Sequence, residues 1–272
     1  MLSLMRLLYG VHLQVRVPVV HAVVYARIYA GDPARWRRYE LTQWKKYMNY
    51  AGVSRFYLYD TRMYPHESLK AWADLYPDVV YHDWVNYSKP WSIHGTQVPA
   101  YQHAIDHYST DCDWQVAVDM DEYPFSARDR EPGFLQRKVA QHGDGVSELS
   151  LTNYLFLGMP TTGKEWVIER ITRRTRNRAN NLNKPIYRPE HVVAEVHHNL
   201  MKPGRVSMEL DPLELRLNHY WGLRLQHWGR DCKKAAGGCE SDPRIRGITV
   251  KDTSASYIAR KLIKRSQRHV QL

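Results

Sequence analysis

Residues 19–28 read VVHAVVYARI, a Val-rich run with almost no polar alternation. A strand of this composition is stable only when both of its faces are covered, as inside a parallel sheet flanked by helices. The residues that follow keep to that plan. Asp32 before Pro33 supplies an N-cap and a first-turn proline. Trp36, Leu41, Trp44 and Tyr47 then recur at helical spacing up to Tyr50, and Gly52 closes the segment. Arg55–Asp60 (RFYLYD) reads as a second strand, His66–Leu75 as a helix and Val79–His82 as a short strand. Gln97–Tyr108 reads as a helix and Trp114–Val118 as another strand. Strands alternating with helices of this length predict βαβ units. The expected class is α/β, an open, twisted, mostly parallel sheet with a Rossmann-like first half.

After residue 145 the pattern becomes strand-rich and irregular, through SELSLTNYLFLG, WVIERITRR and KPIYRPEHVVAEVHH. A basic amphipathic helix is expected at about Ser254–Arg265, with Tyr257, Ile258, Leu262 and Ile263 on its apolar side. There is no internal repeat, low-complexity tract or linker, so residues 1–272 read as one domain.

The most pointed local signal is VAVDMDEYPF at residues 116–125. An apolar strand delivers Asp119 and Asp121, one residue apart, into the loop at its carboxyl end. Ligands of open α/β sheets bind at those ends. Paired carboxylates placed there suit a hard divalent cation, and such a cation suits a nucleotide pyrophosphate. A solvated acidic turn is the plainer alternative.

Charge then separates the function classes. The chain carries 39 Lys and Arg against 28 Asp and Glu, a net +11. Residues 163–188 contribute +6 and residues 251–272 contribute +5, so the rest of the chain is neutral. Basicity confined to two segments argues against a nucleic-acid groove spread over the fold. It leaves a phosphorylated ligand, an acidic acceptor or an anionic membrane under the C-terminal helix as readings. No apolar run approaches the roughly 20 residues of a membrane span. The N-terminal MLSLMRLLYG lacks a small-residue cleavage pattern, so no signal peptide is expected. The sequence itself leaves the compartment open between cytoplasmic and membrane-associated. Cys232 and Cys239 either bridge their loop or remain free thiols, and Cys112 is expected to be buried.

The ordered set YARIYAGD, W-x-x-Y-x-x-x-x-GV-x-x-FYLYD, QVPAYQH, W-x-VAVDMDEYPF, KPIYRPE, HH and NHYWG resembles the family 92 glycosyltransferases, enzymes of the GT-A fold. It runs from about residue 20 to 230. Two positions depart from the family pattern: Gln43 stands where an acidic residue is usual, and Tyr123 where Phe is usual. The resemblance implies transfer of a hexosyl group from a nucleotide sugar, expected to be UDP-linked, to a glycan or glycoprotein hydroxyl, with metal dependence and inversion. Residues 19–125 would form the nucleotide-sugar half and 145–230 the acceptor and metal-completing half. Residues 231–272 would be a C-terminal loop and helix.

On that layout Asp119 and Asp121 hold Mn²⁺ or Mg²⁺, and His219 and His197 are candidate further ligands, since neutral imidazole suits Mn²⁺. Arg27, Asp32, Asp60, Gln97, Asp119, Lys184 and Arg188 are candidate donor contacts. Arg27 and Arg188 offer phosphate forks, Lys184 a point charge and Asp60 a ribose or base contact. Inversion needs a carboxylate base on the acceptor side, and Glu122, Glu148, Glu165 and Glu169 are its candidates. Tyr220 and Trp221 either stack on sugar or belong to the core. Two other classes stand beside this one, a basic nucleic-acid-binding protein and a metal-dependent phosphotransferase or nuclease. Acidic residues at the strand end disfavour the first, and the scarcity of further acidic strand ends disfavours the second.

Overall fold

The computed structural model describes residues 16–26, 37–62, 64–85, 93–157, 166–178, 183–220 and 249–270. The apolar run forms β1 (Val20–Ala26), every residue of which is buried. Val20, Ala22 and Val24 point into one core cluster, whereas Val23 and Tyr25 point into another on the opposite side. This is the two-faced burial that the composition demanded.

Helix α1 (Arg37–Ala51) covers the first face through Leu41, Trp44, Tyr47 and Met48. It ends at Gly52, whose φ of +114° is open to glycine and whose N–H returns to the Met48 carbonyl at 3.1 Å. A Cβ there would meet the Gln136 side chain at 2.8 Å. Strands β2 (Val53–Asp60) and β3 (Val79–Asp83) follow. Between them the single helix expected over residues 66–75 is instead a 3₁₀ turn, Pro65–Glu67, and one α turn, α2 (Lys70–Ala73). The break has a cause. The Asp60 carboxylate accepts the Leu69 N–H at 2.8 Å and so fixes the chain between the two turns.

A π turn, Ile93–Gln97, leads into α3 (Val98–Tyr108), which covers the second face with Ala100, Tyr101, Ala104 and Ile105. Then come β4 (Trp114–Val118), β5 (Glu122–Phe125), α4 (Phe134–Val139), β6 (Val146–Leu151) and β7 (Asn153–Leu157). The WVIER segment, expected to be extended, is a helical turn, α5 (Val167–Arg170). Two contacts with α1 hold it there: the Gln43 side-chain oxygen accepts the Val167 N–H, and Arg170 pairs with Glu40 at 2.8 Å. Strands β8 (Arg173–Thr175), β9 (Lys184–Tyr187), β10 (Val192–Val193), β11 (Leu200–Met201), β12 (Val206–Glu209), β13 (Arg216–His219) and β14 (Thr249–Lys251) precede the terminal helix α6 (Ser256–Val270).

The main sheet has the order β12-β6-β9-β4-β1-β2-β3. Its pairings are parallel except for those of β9, which runs antiparallel to both β6 and β4. A second sheet, β14-β8-β7-β13-β5, packs beside it. The molecule is therefore a mixed α/β fold with a large, mostly parallel sheet flanked by helices. Helix α6 buries Ile258, Ala259 and Leu262 in the core cluster that also contains Val20. Its apolar side is thus committed to the domain.

Candidate active site

Parallel pairing lines up the carboxyl ends of β1, β2, β3 and β4. Asp60 stands opposite Asp83 in the β2–β3 register, and Asp119 leaves β4. The turn after β4 is tight: the Glu122 N–H donates to the Asp119 carbonyl at 3.0 Å, and the Asp119 N–H donates back to the Glu122 carboxylate at 2.8 Å. Helix α1 pins it from beneath. Trp44 donates its indole N–H to the Glu122 carbonyl at 2.8 Å, and the Tyr47 hydroxyl donates to the Pro124 carbonyl at 2.7 Å.

Strand β5 then pairs antiparallel with β13, which places His219 directly opposite Glu122. His219 Nε2 lies 3.4 Å from Asp121 Oδ2, and its Nδ1 lies 3.5 Å from Glu122 Oε1. Asn153 of β7 approaches the same Nδ1 at 3.4 Å. From the antiparallel strand β9, Lys184 brings its Nζ to 3.5 Å from both Asp119 Oδ2 and Glu122 Oε2. Gln97 closes the ring at the end of the π turn. Its amide donates to the Tyr101 hydroxyl at 2.9 Å and reaches Asp119 at 3.5 Å. The turn is held over β4 by Tyr25 bonding Thr96 and Trp84 donating to the Thr96 carbonyl.

Asp119, Asp121, Glu122, Gln97, Lys184 and His219 therefore converge at one sheet end. Asp121, Glu122, Gln97, Lys184 and His219 are buried, and Asp119 keeps partial exposure. Burial pushes the Glu122 carboxyl up, and the Lys184 ammonium works against that shift.

The other sequence candidates lie elsewhere or are engaged. Asp60 is fully buried, and its carboxylate accepts from Leu69 N–H, the Tyr81 hydroxyl and Arg62 N–H. Burial raises its carboxyl. Glu148 is also buried, accepting the Asn199 N–H at 3.0 Å and the Ser207 hydroxyl at 2.9 Å. Glu169 is half-buried on α5. His197 bonds the Asn183 carbonyl through Nδ1 at 3.1 Å, and burial lowers its imidazole. Arg188 needs correction. KPIYRP was expected to bring Lys184 and Arg188 together at the carboxylates, but four residues of extended chain separate them by roughly 13 Å. Because β9 runs antiparallel to β4, Lys184 meets the carboxyl end of β4 while Arg188 stacks on Trp114 at its start, 4.5 Å from the ring. Arg27, Asp32, Glu165, Trp221, Cys232 and Cys239 lie outside the described residues. Cys112 is half-buried, with its thiol pushed up to about 12 by burial. Tyr220 is fully buried, stacked on Phe156 and edge-on to Tyr123, which is a core position.

Two members of the site escaped the sequence reading. Asn153 showed only as a polar residue inside the apolar run SLTNYLFLG. Trp44 showed only as one of the apolar positions of α1. The basic segment 163–188 is largely consumed internally, since Arg170 pairs with Glu40, Arg174 with Asp252 and Arg178 with Glu209.

Among the described residues no three His, Cys, Asp or Glu side chains form a closed metal cage. Two donors do meet, the Asp121 carboxylate and the His219 imidazole. Their 3.4 Å separation is near the ~3 Å between neighbouring ligands in an octahedral shell of ~2.1 Å bonds. Mg²⁺-like cations are commonly held by one or two protein carboxylates plus substrate phosphates, so the donor set fits a cation completed by a diphosphate. No helix among the described residues is long and apolar enough to cross a membrane. The family model described as glycosyltransferase family 92 matches residues 31–253. No curated protein matches the chain.

Proposed function

The chain belongs to glycosyltransferase family 92 and is a glycosyltransferase, and from that premise we propose that it moves a hexosyl group from a UDP-linked sugar to a glycan hydroxyl with inversion. The transfer would depend on Mn²⁺ or Mg²⁺ at the turn after β4. The observation that carries this reading is the meeting of Asp121 and His219 at the carboxyl end of the parallel strands, beside Asp119 and Lys184.

Asp121 and His219 would hold the cation, with Asp119 facing the same space. When bound, the cation supplies Lewis-acid neutralisation of the charge that builds on the departing diphosphate. Lys184 adds a fixed positive charge on that side and keeps the two carboxylates Asp119 and Glu122 compatible at close range. Gln97 orients Asp119. The acceptor hydroxyl gives its proton to a carboxylate while its oxygen bonds the anomeric carbon. On the opposite face the bond to the diphosphate breaks, and UDP leaves with the electron pair. Of the base candidates on described residues, Glu122 and Glu148 have both carboxylate oxygens engaged inside the fold. Glu169, half-exposed on α5, is the remaining candidate among the described residues that an acceptor could reach, and we propose it as the base on that ground. Any contact of α6 with an anionic membrane would be electrostatic, because Ile258, Ala259 and Leu262 are packed inside.

The test is a panel of nucleotide sugars assayed for release of the nucleoside diphosphate. The reading expects release from UDP-linked donors that requires divalent cation and stops with a chelator. Release from no donor, or release indifferent to chelator, would overturn it.

A further inference from the structure

Glu122 is the most enclosed charged group of the site. Its side chain is 1% exposed, and three different elements converge on it. The turn after β4 offers the Asp119 N–H to Oε2 at 2.8 Å. Strand β9 places the Lys184 ammonium 3.5 Å from the same oxygen. Strand β13 sets the His219 Nδ1 3.5 Å from Oε1, in direct cross-strand register. The far ring nitrogen, Nε2, faces Asp121. No acceptor sugar can reach a carboxylate walled in this way.

Resting on the metal reading above, we propose that Glu122 is a positioning residue rather than the base, holding the His219 ring with Nδ1 protonated so that the Nε2 lone pair faces the cation position beside Asp121. An ionised carboxylate presents acceptors only, and the Lys184 ammonium 3.5 Å from Oε2 favours that form, so the ring nitrogen facing Oε1 brings the hydrogen. A histidine that ligates through one nitrogen commonly donates the other N–H to a carboxylate or carbonyl, which fixes the tautomer and the ring plane. One carboxylate thereby sets two things together: the path of the acidic turn, through the Asp119 amide, and the direction of the imidazole. Asn153 sets its amide nitrogen Nδ2 3.4 Å from the same Nδ1. Since two donors cannot face each other, the Nδ1–H tautomer requires this amide turned oxygen-inward, where it accepts from the same N–H.

The experiment is ¹⁵N NMR of the imidazoles of the metal-free full chain, with His219 assigned by loss of its signals in His219→Gln. The expected result is an Nδ1–H tautomer for His219 in wild type and its loss in Glu122→Gln, with Mn²⁺ affinity in the presence of UDP weakened about 10–100-fold. An Nε2–H tautomer in wild type, or a tautomer unchanged by Glu122→Gln, overturns the proposal. So does a Glu122→Gln variant that binds Mn²⁺ and UDP as wild type does but no longer transfers sugar, the behaviour of a base. The tautomer is read without metal. An Nδ1–H signal in a wild-type protein that binds no Mn²⁺ with UDP would sink the metal reading and leave the positioning of His219 intact.

Discussion

Trp44 of helix α1 donates its indole N–H to the main-chain carbonyl of Glu122 at 2.8 Å, tying the first helix of the domain to the acidic turn across 78 residues of sequence. The helix that covers the sheet thus also positions the loop that carries Asp119 and Asp121. Trp44→Phe removes this bond and part of a buried ring. Stability should fall by about 1–3 kcal/mol, and Mn²⁺-supported UDP binding should weaken as the turn loosens. Denaturant melts and calorimetric titration of the same preparation check both.

Asp252 joins the C-terminal segment to the second sheet. Arg174 and Arg216 both donate to its Oδ2, at 2.7 and 2.8 Å. Burial works against the charge, but hydrogen bonds from Ser254 and Arg174 and the Arg216 charge hold its carboxyl well below the usual carboxylate range. A carboxyl depressed in the folded state contributes stability that is present above its ordinary value and lost as pH falls below it. Asp252→Asn leaves two guanidinium groups without their counter-ion. It should cost about 3–5 kcal/mol at neutral pH and flatten the acid limb of the melting curve, which a Tm series from pH 7 to 3 reads.

A histidine stack gives a second pH signature of opposite charge type. His82 packs flat on Tyr59 at 4.6 Å and lies 5.1 Å from His103, which stacks on His107 at 3.9 Å. Burial first, then the charges of His103 and His107, lower His82 from 6.5 to about 4. His21 is lowered to about 4 as well, by burial and then by Arg55. The unfolded chain takes up protons below pH 6.5 and the folded one resists until about 4, so stability should decline as pH falls through that window and stay level above it. His82→Gln should make the decline shallower. A Tm profile identical to wild type would contradict this.

The sheet was legible because β1, β2 and β4 are apolar runs bounded by turn residues, and the acidic turn because it follows one of them. Arg188 was misplaced since local sequence does not reveal strand direction, and only the antiparallel entry of β9 separates Arg188 from Lys184. WVIER looked extended because its helical turn depends on Gln43 and Glu40, more than 120 residues earlier. Asp60 stood out by its place at the end of a strand, and Glu148 by lying in the stretch expected to face the acceptor. Their partners, Leu69 N–H and Asn199 N–H, are visible only once the chain is folded. Asn153 gave almost no signal, since one polar residue in a buried strand fits many roles.

Glu169→Gln tests the acceptor-side base. Transfer to acceptor should fall by about 10²–10⁴-fold while UDP and Mn²⁺ binding stay at wild-type values. Unchanged turnover would remove Glu169 from the mechanism.

The account stands or falls on whether Asp121 joins a cation to a nucleoside diphosphate. Calorimetric titration of UDP into wild type and Asp121→Asn, each with and without Mn²⁺, measures it directly. The account predicts UDP binding by wild type that strengthens with Mn²⁺ and an Asp121→Asn variant in which Mn²⁺ makes no difference. Wild-type binding indifferent to Mn²⁺, or an Asp121→Asn variant that responds to Mn²⁺ as wild type does, would contradict it.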